Sequence, residues 1–232
     1  MTLVVVTGVG TGIGKTHVSA GLVAAWGREA AVLGYKPIES GVVGEEGDDE
    51  ALLRSVSTFH VKRPCVQFRL RAPVSPHLAA RAEGRAVPLA EIVAEVSRLR
   101  AEASVVLELP GGLFSPLSET ASNADLTLAL TPDVRLLVAP DRLGVLHEVR
   151  AVFEACRARG LRLDGVVLSA PAAPDLSTST NEEELARTSG LSVLASFPRA
   201  SREALVASGA FDALVRYCRS RALAATPWTA PE

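Results

Sequence analysis

Five apolar or β-branched residues, Leu3 to Thr7, run directly into the turn Gly8 to Gly14, in which four of seven residues are glycine, and then into Lys15, Thr16 and an apolar helical pattern reaching about Trp26. A strand that is apolar on both faces has no solvent side, so it reads as a buried strand of a parallel sheet. Glycines in the following turn let the backbone approach an anion. The helix start supplies free N–H groups there, and Lys15 adds a point charge. A threonine after that lysine can hold Mg²⁺ through its hydroxyl. The common phosphate loop has four residues between its glycines, whereas five separate Gly8 from Gly14. A dinucleotide fingerprint fits worse, because its third glycine is misplaced and Lys15 and Thr16 are left unexplained. The turn is read as a triphosphate site.

The remainder alternates between strands and helices. Short apolar runs at 31–35, 104–109, 134–139, 164–169 and 193–197 read as strands, and 88–100, 145–159, 181–189 and 201–223 as helices. This order predicts an α/β fold: a single-domain, doubly wound parallel sheet flanked by helices, P-loop NTPase-like, over residues 1–223. Residues 41–76 read as an irregular excursion at the sheet's carboxyl edge, and 224–232, with Pro227 and Pro231, as a flexible tail. A net charge of −2 gives no global field for nucleic acid or an anionic membrane, so neither is expected as a partner. No apolar run approaches the length of a membrane span. The start shows no basic segment leading into a cleavable apolar stretch, and Cys65, Cys156 and Cys218 are widely spaced. A reducing cytoplasm is therefore expected. Lysine occurs only at Lys15, Lys36 and Lys62, against an arginine-rich background, so each lysine invites a specific question.

Lys36 ends the second strand, and Pro37 cannot continue a central ladder. Glu108 ends an otherwise apolar strand, where burial without a cation would be costly. Asp49 lies among Glu45, Glu46, Asp48 and Glu50, a run that reads equally well as a solvated loop.

Taken together, the Gly-x5-Gly-Lys-Thr loop, Tyr35-Lys-Pro-Ile-Glu-Ser-Gly41, Gly47-Asp-Asp49, Ser75-Pro-His77 and Glu108 followed by Gly111-Gly-Leu-Phe-Ser-Pro-Leu117 resemble the dethiobiotin synthetase family in collinear order. The resemblance implies a cyclo-ligase of biotin biosynthesis. Its substrates are 7,8-diaminopelargonate, CO₂ and ATP. A carbamate forms, attacks the γ-phosphate to give a phosphorylated anhydride, and the second amine closes a cyclic urea, releasing ADP and phosphate. No protein nucleophile is needed, so catalysis rests on positioning and charge neutralisation.

By the same resemblance Lys15 and Lys36 are catalytic, and Mg²⁺ is held by Thr16, Asp49 and Glu108. Nucleotide contacts fall on Gly12, Ile13, Gly14, Lys15, Thr16, His17, Ser169, Phe197 and Pro198. Substrate contacts fall on Thr11, Ser40, Gly111, Gly144, Val145 and Leu146, the last three partly across a homodimer interface. Four positions depart from the family's pattern: Leu109-Pro110 stands for Gly-Ala, Ser169 for an adenine-reading asparagine, Leu146 for asparagine, and Gly12 for the glutamate of some members. Two alternatives remain at this point. One is a divergent paralogue acting on another substrate. The other is a switch ATPase of the partitioning or division-site type, although such proteins carry an extra lysine where this chain has Gly10.

Overall fold

The computed structural model describes residues 1–63, 65 and 67–223; the tail expected at 224–232 lies outside them. Six strands form an all-parallel sheet: β1 (Leu3–Gly8), β2 (Val32–Tyr35), β5 (Ser104–Glu108), β6 (Val134–Pro140), β7 (Gly165–Ser169) and β8 (Val193–Phe197). Their order is β2-β5-β1-β6-β7-β8. The chain winds to one side of β1 and then crosses to the other for β6 onward. That reversal leaves a crevice at the carboxyl end of β1, where ligands of such sheets bind.

Alternation along the strands feeds two cores. Val4 and Val6 face one layer with α1 (Lys15–Trp26), α8 (Arg202–Ala207) and α9 (Asp212–Leu223). Leu3 and Val5 face the other, with α3 (Pro76–Ala82), α4 (Leu89–Glu102) and α5 (Asn123–Leu130). On that second face, α6 (Val145–Ala158) and α7 (Asn181–Ser189) cover β6 and β7. Burial on both faces is what the unbroken apolar strands demanded.

Two expectations need correction. The helix expected over 201–223 is broken between α8 and α9, where Gly209 takes φ +77°. The break drops Phe211 into the core, stacked on Phe197 with ring centroids 4.2 Å apart. The stretch 41–76 is not merely irregular: it contains α2 (Asp48–Val56) and β4 (Phe68–Leu70), and β4 pairs in parallel with β3 (Ile38–Ser40). Asp49 accordingly sits in the first turn of a helix rather than in a solvated loop.

Gly21 of α1 lies against Phe211, and a Cβ there would fall 2.1 Å from the ring. Gly21→Ala is therefore expected to destabilise the protein by about 1–3 kcal/mol through overpacking, despite alanine's helix preference of about 1 kcal/mol. Urea denaturation measures this, and a raised midpoint would contradict the close approach.

Candidate active site

Register brings the central charges together. Tyr35 pairs with Leu107 in the β2–β5 ladder, so the next residues along, Lys36 and Glu108, come side by side. Lys36 Nζ donates to Glu108 Oε1 at 2.7 Å and also to Asp49 Oδ2. Both Lys36 and Glu108 are buried. Burial works to lower the Lys36 pKa, but the Glu108 and Asp49 carboxylates overcome it and hold the ammonium above its ordinary value. Thr16, in the first turn of α1, donates its hydroxyl to the same Glu108 Oε1 at 2.9 Å.

The glycine-rich turn is shaped for close packing and an anion. Gly12 and Gly14 adopt φ of +70° and +91°, which only glycine takes up readily. Gly8, the glycine that broke the usual spacing, lies under the loop: a Cβ there would meet Ile13 Cδ1 at 2.4 Å and Lys15 Cδ at 3.2 Å. Lys15 is buried, and its Nζ donates to Gly10 O at 2.7 Å. Burial lowers its pKa to about 8, with Glu108 and Asp49 opposing and Lys36 adding to the effect.

Three adjoining cavities make a furrow across the carboxyl edge. The middle one, about 240 Å³, is lined by Lys15, Thr16, Lys36, Asp49, Glu108 and Gly111 among others. Toward β7 and β8 a cavity of about 530 Å³ is lined by Gly12, Ile13, His17, Ser169, Phe197 and Pro198. On the other side one of about 430 Å³ is lined by Thr11, Lys36, Ser40, Asp49 and Gly111. Thr11 borders all three. Most of the residues expected from sequence thus converge. Gly144, Val145 and Leu146 do not line the furrow: they open α6, and Leu146 borders a separate cavity of about 400 Å³ with His147 and Arg150.

The local chemistry refines several expectations. Ser169 Oγ donates to Ile13 O at 2.5 Å, which commits it to holding the loop. Phe197 borders the 530 Å³ cavity but is buried, with its ring stacked on Phe211. His17 has a lowered pKa, through burial first and nearby Arg202 second, against Glu203. Ser40 Oγ is buried without a hydrogen-bond partner beside the 430 Å³ cavity. The Pro110 segment is clamped by Asn123, whose Nδ2 donates to Pro110 O at 2.5 Å and Gly112 O at 2.8 Å. Neither the Asn123 clamp nor the bonds of Asp141, which is buried and accepts from Asn181 Nδ2 at 2.7 Å and Ser179 N at 2.8 Å, can be read from the sequence. Lone polar residues of this kind carry no motif.

The donor set suits a divalent cation. Glu108 Oε2 is fully buried and has no hydrogen-bond partner, next to the Thr16 hydroxyl and the Asp49 carboxylate. Among the described residues no group of three or more His, Cys, Asp or Glu is placed to hold a metal ion by itself, so the set is too small for an all-protein cage. Two carboxylates and a hydroxyl match the way Mg²⁺ binds when phosphate oxygens and water complete its shell.

A family model described as an AAA domain matches residues 2–203. The chain is 39% identical over 198 residues to the ATP-dependent dethiobiotin synthetase of Anaeromyxobacter dehalogenans (strain 2CP-C), covering 83% of this chain and 88% of that protein. It is 39% identical over 183 residues to the protein of the same name from Caulobacter sp. (strain K31), covering 74% and 77%. Among solved structures, the MinC:MinD cell division protein complex of Aquifex aeolicus aligns with TM-score 0.57 at 13% identity over 99% of both chains. A ParA family ATPase from Chlorobium tepidum TLS aligns with TM-score 0.56 at 11% identity, covering 97% of this chain and 99% of that one. At such low identity these two speak for the fold alone, which is P-loop NTPase-like.

Proposed function

The chain belongs to the ATP-dependent dethiobiotin synthetase family, and from that premise we propose how its residues divide the work of the ring closure. The protein is an ATP-dependent cyclo-ligase that makes dethiobiotin in biotin biosynthesis. The observation that carries our assignment of roles is the buried Lys36, ion-paired to Glu108 and Asp49 where the phosphate cavity meets its neighbour.

In this reading the 530 Å³ cavity takes the nucleoside and the middle cavity the phosphates. Lys15 exchanges its bond to Gly10 O for phosphate oxygens, trading a neutral acceptor for a charged one. The diamine and its CO₂-derived carbamate occupy the 430 Å³ cavity, where Thr11 and the unpartnered Ser40 hydroxyl meet them. Lys36 borders both sides. Paired to two carboxylates it serves as a fixed positive charge rather than a base, facing the negative charge that builds up as carbamate oxygen and γ-phosphate approach. Thr16, Asp49 and Glu108 would hold Mg²⁺, which when bound neutralises phosphate charge. Because Gly144, Val145 and Leu146 lie outside the furrow, we assign their contact with the substrate carboxylate to a homodimer, with Leu143 beside them 75% exposed. Among the described residues no helix is long and apolar enough to cross a membrane, and the three cysteines are free. We place the reaction in the cytoplasm.

Purified protein incubated with diaminopelargonate, bicarbonate, ATP and Mg²⁺ is expected to yield the cyclic urea, read by mass. No product from folded, nucleotide-binding protein would favour the paralogue acting on another substrate.

Base selectivity is expected to be loose, since Ser169 is committed to Ile13. One neutral hydrogen bond contributes about 0.5–1.5 kcal/mol, or about two- to tenfold. GTP or CTP should therefore support turnover within about an order of magnitude of ATP. A preference for ATP of about a hundredfold or more in side-by-side kinetics would show that the adenine edge is read elsewhere in the cavity.

A further inference from the structure

We infer that Glu39 is a positioning residue: its carboxylate caps the first turn of α2 and thereby holds Asp49 against Lys36. Glu39 Oε1 accepts the backbone N–H of Asp49 and Oε2 that of Glu50, each at 3.0 Å. The helix has no cap of its own, because its N-cap residue is Gly47. Gly47 is also what admits Glu39, since a Cβ there would lie 2.2–2.5 Å from the carboxylate atoms. The turn is gripped a second time from the neighbouring strand. Arg69, the ladder partner of Glu39, donates to both oxygens of Glu50 at 2.7 and 2.5 Å.

This explains why a three-residue strand pair stands beside the site. β3 delivers Glu39 and β4 delivers Arg69 to one helical turn carrying Asp48, Asp49 and Glu50. Three acids in a first turn suit the helix dipole, but they do not fix where Asp49 points. Two backbone hydrogen bonds to a carboxylate from another element do. The inference rests on the role given to Asp49 above.

The test uses the full-length protein and compares Glu39→Ala, Glu39→Gln, Gly47→Ala, Asp49→Asn and the double variant Glu39→Ala/Asp49→Asn. Hydrogen exchange at the Asp49 and Glu50 amides is followed without ligand, and kcat and the half-saturating Mg²⁺ concentration are measured with substrates. Glu39→Ala is expected to speed exchange at those two amides while leaving β1 protected, and to lower kcat by about ten- to a hundredfold, the usual penalty for a misplaced catalytic group. Its half-saturating Mg²⁺ concentration should rise. Gly47→Ala should reproduce these effects, and Glu39→Gln, which keeps one acceptor, should recover part of the loss. The double variant should be no slower than Asp49→Asn alone, because both changes act through one group. Unchanged exchange, or losses that multiply in the double variant, would overturn the inference. Normal turnover by Asp49→Asn would instead overturn the role of Asp49, and exchange at the two amides would still decide whether Glu39 holds the turn.

Discussion

Lys36→Ala is expected to lower turnover by about 10²–10³ while leaving nucleotide affinity nearly unchanged, the loss typical of removing one preorganised stabiliser of transition-state charge. Phosphate grip stays with Lys15 and the loop, whereas Lys36 faces the point where carbamate and γ-phosphate meet. The same change leaves Glu108 buried without its cation, and breaking a buried pair from one side costs about 3–5 kcal/mol. Steady-state kinetics should therefore be run well below the variant's own melting point, with stability read by urea denaturation. Lys36→Arg is not expected to rescue, since a planar guanidinium does not reproduce the compact ammonium in this small space. Normal turnover by Lys36→Ala would remove it from the chemistry.

Glu108→Gln carries the second large effect, and its sign in the ligand-free protein differs from what the sequence suggests. An apolar strand end with Mg²⁺ as the carboxylate's only partner implies that the amide would be tolerated or even stabilising. The partner in the structure is Lys36, so Glu108→Gln instead removes one half of a buried ion pair. The cost falls toward the lower end of about 3–5 kcal/mol, because Asp49 still compensates the lysine. Turnover should fall strongly, with partial recovery in excess Mg²⁺. Melting curves with and without Mg²⁺–ATP should show a larger gain for wild type than for Glu108→Gln, since ligand stabilisation follows the logarithm of ligand concentration over Kd. Equal gains with normal turnover would make Glu108 a structural carboxylate.

What could be read from the sequence follows from how local each signal is. Five of the six strands of the main sheet, all but the edge strand β8, announce themselves because burial on both faces leaves unbroken apolar runs such as Val105-Val-Leu107. The phosphate turn is equally local. The Lys36–Glu108 pair is not: each residue could be suspected singly, but their contact spans 72 positions and depends on the β2–β5 register. Asp49 was obscured for a different reason. Its acidic run looks like solvated loop until Glu39 and Arg69 arrive from strands of three residues, too short to show any period. The break before Phe211 has little local signature, because helical periodicity continues through Gly209 and only the ring's place under α1 requires the chain to turn.

The neighbouring placement of Lys36 and Glu108 also bears on how the chain reaches its fold. Parallel strands that are apolar on both faces offer little polar contrast between neighbours, and their backbone hydrogen bonds to a given neighbour repeat every second residue. Shift β2 by one residue against β5 and its side chains exchange faces: Tyr35 leaves its pocket, and Lys36 is driven among aliphatic groups while Glu108 is stranded. Each displaced charge then meets the full desolvation cost that the correct alignment avoids. The ion pair therefore acts as a checksum on strand alignment during folding, and variants that neutralise both residues at once, such as Lys36→Met with Glu108→Leu, should refold with more misaligned, aggregation-prone species even where their final stability is high.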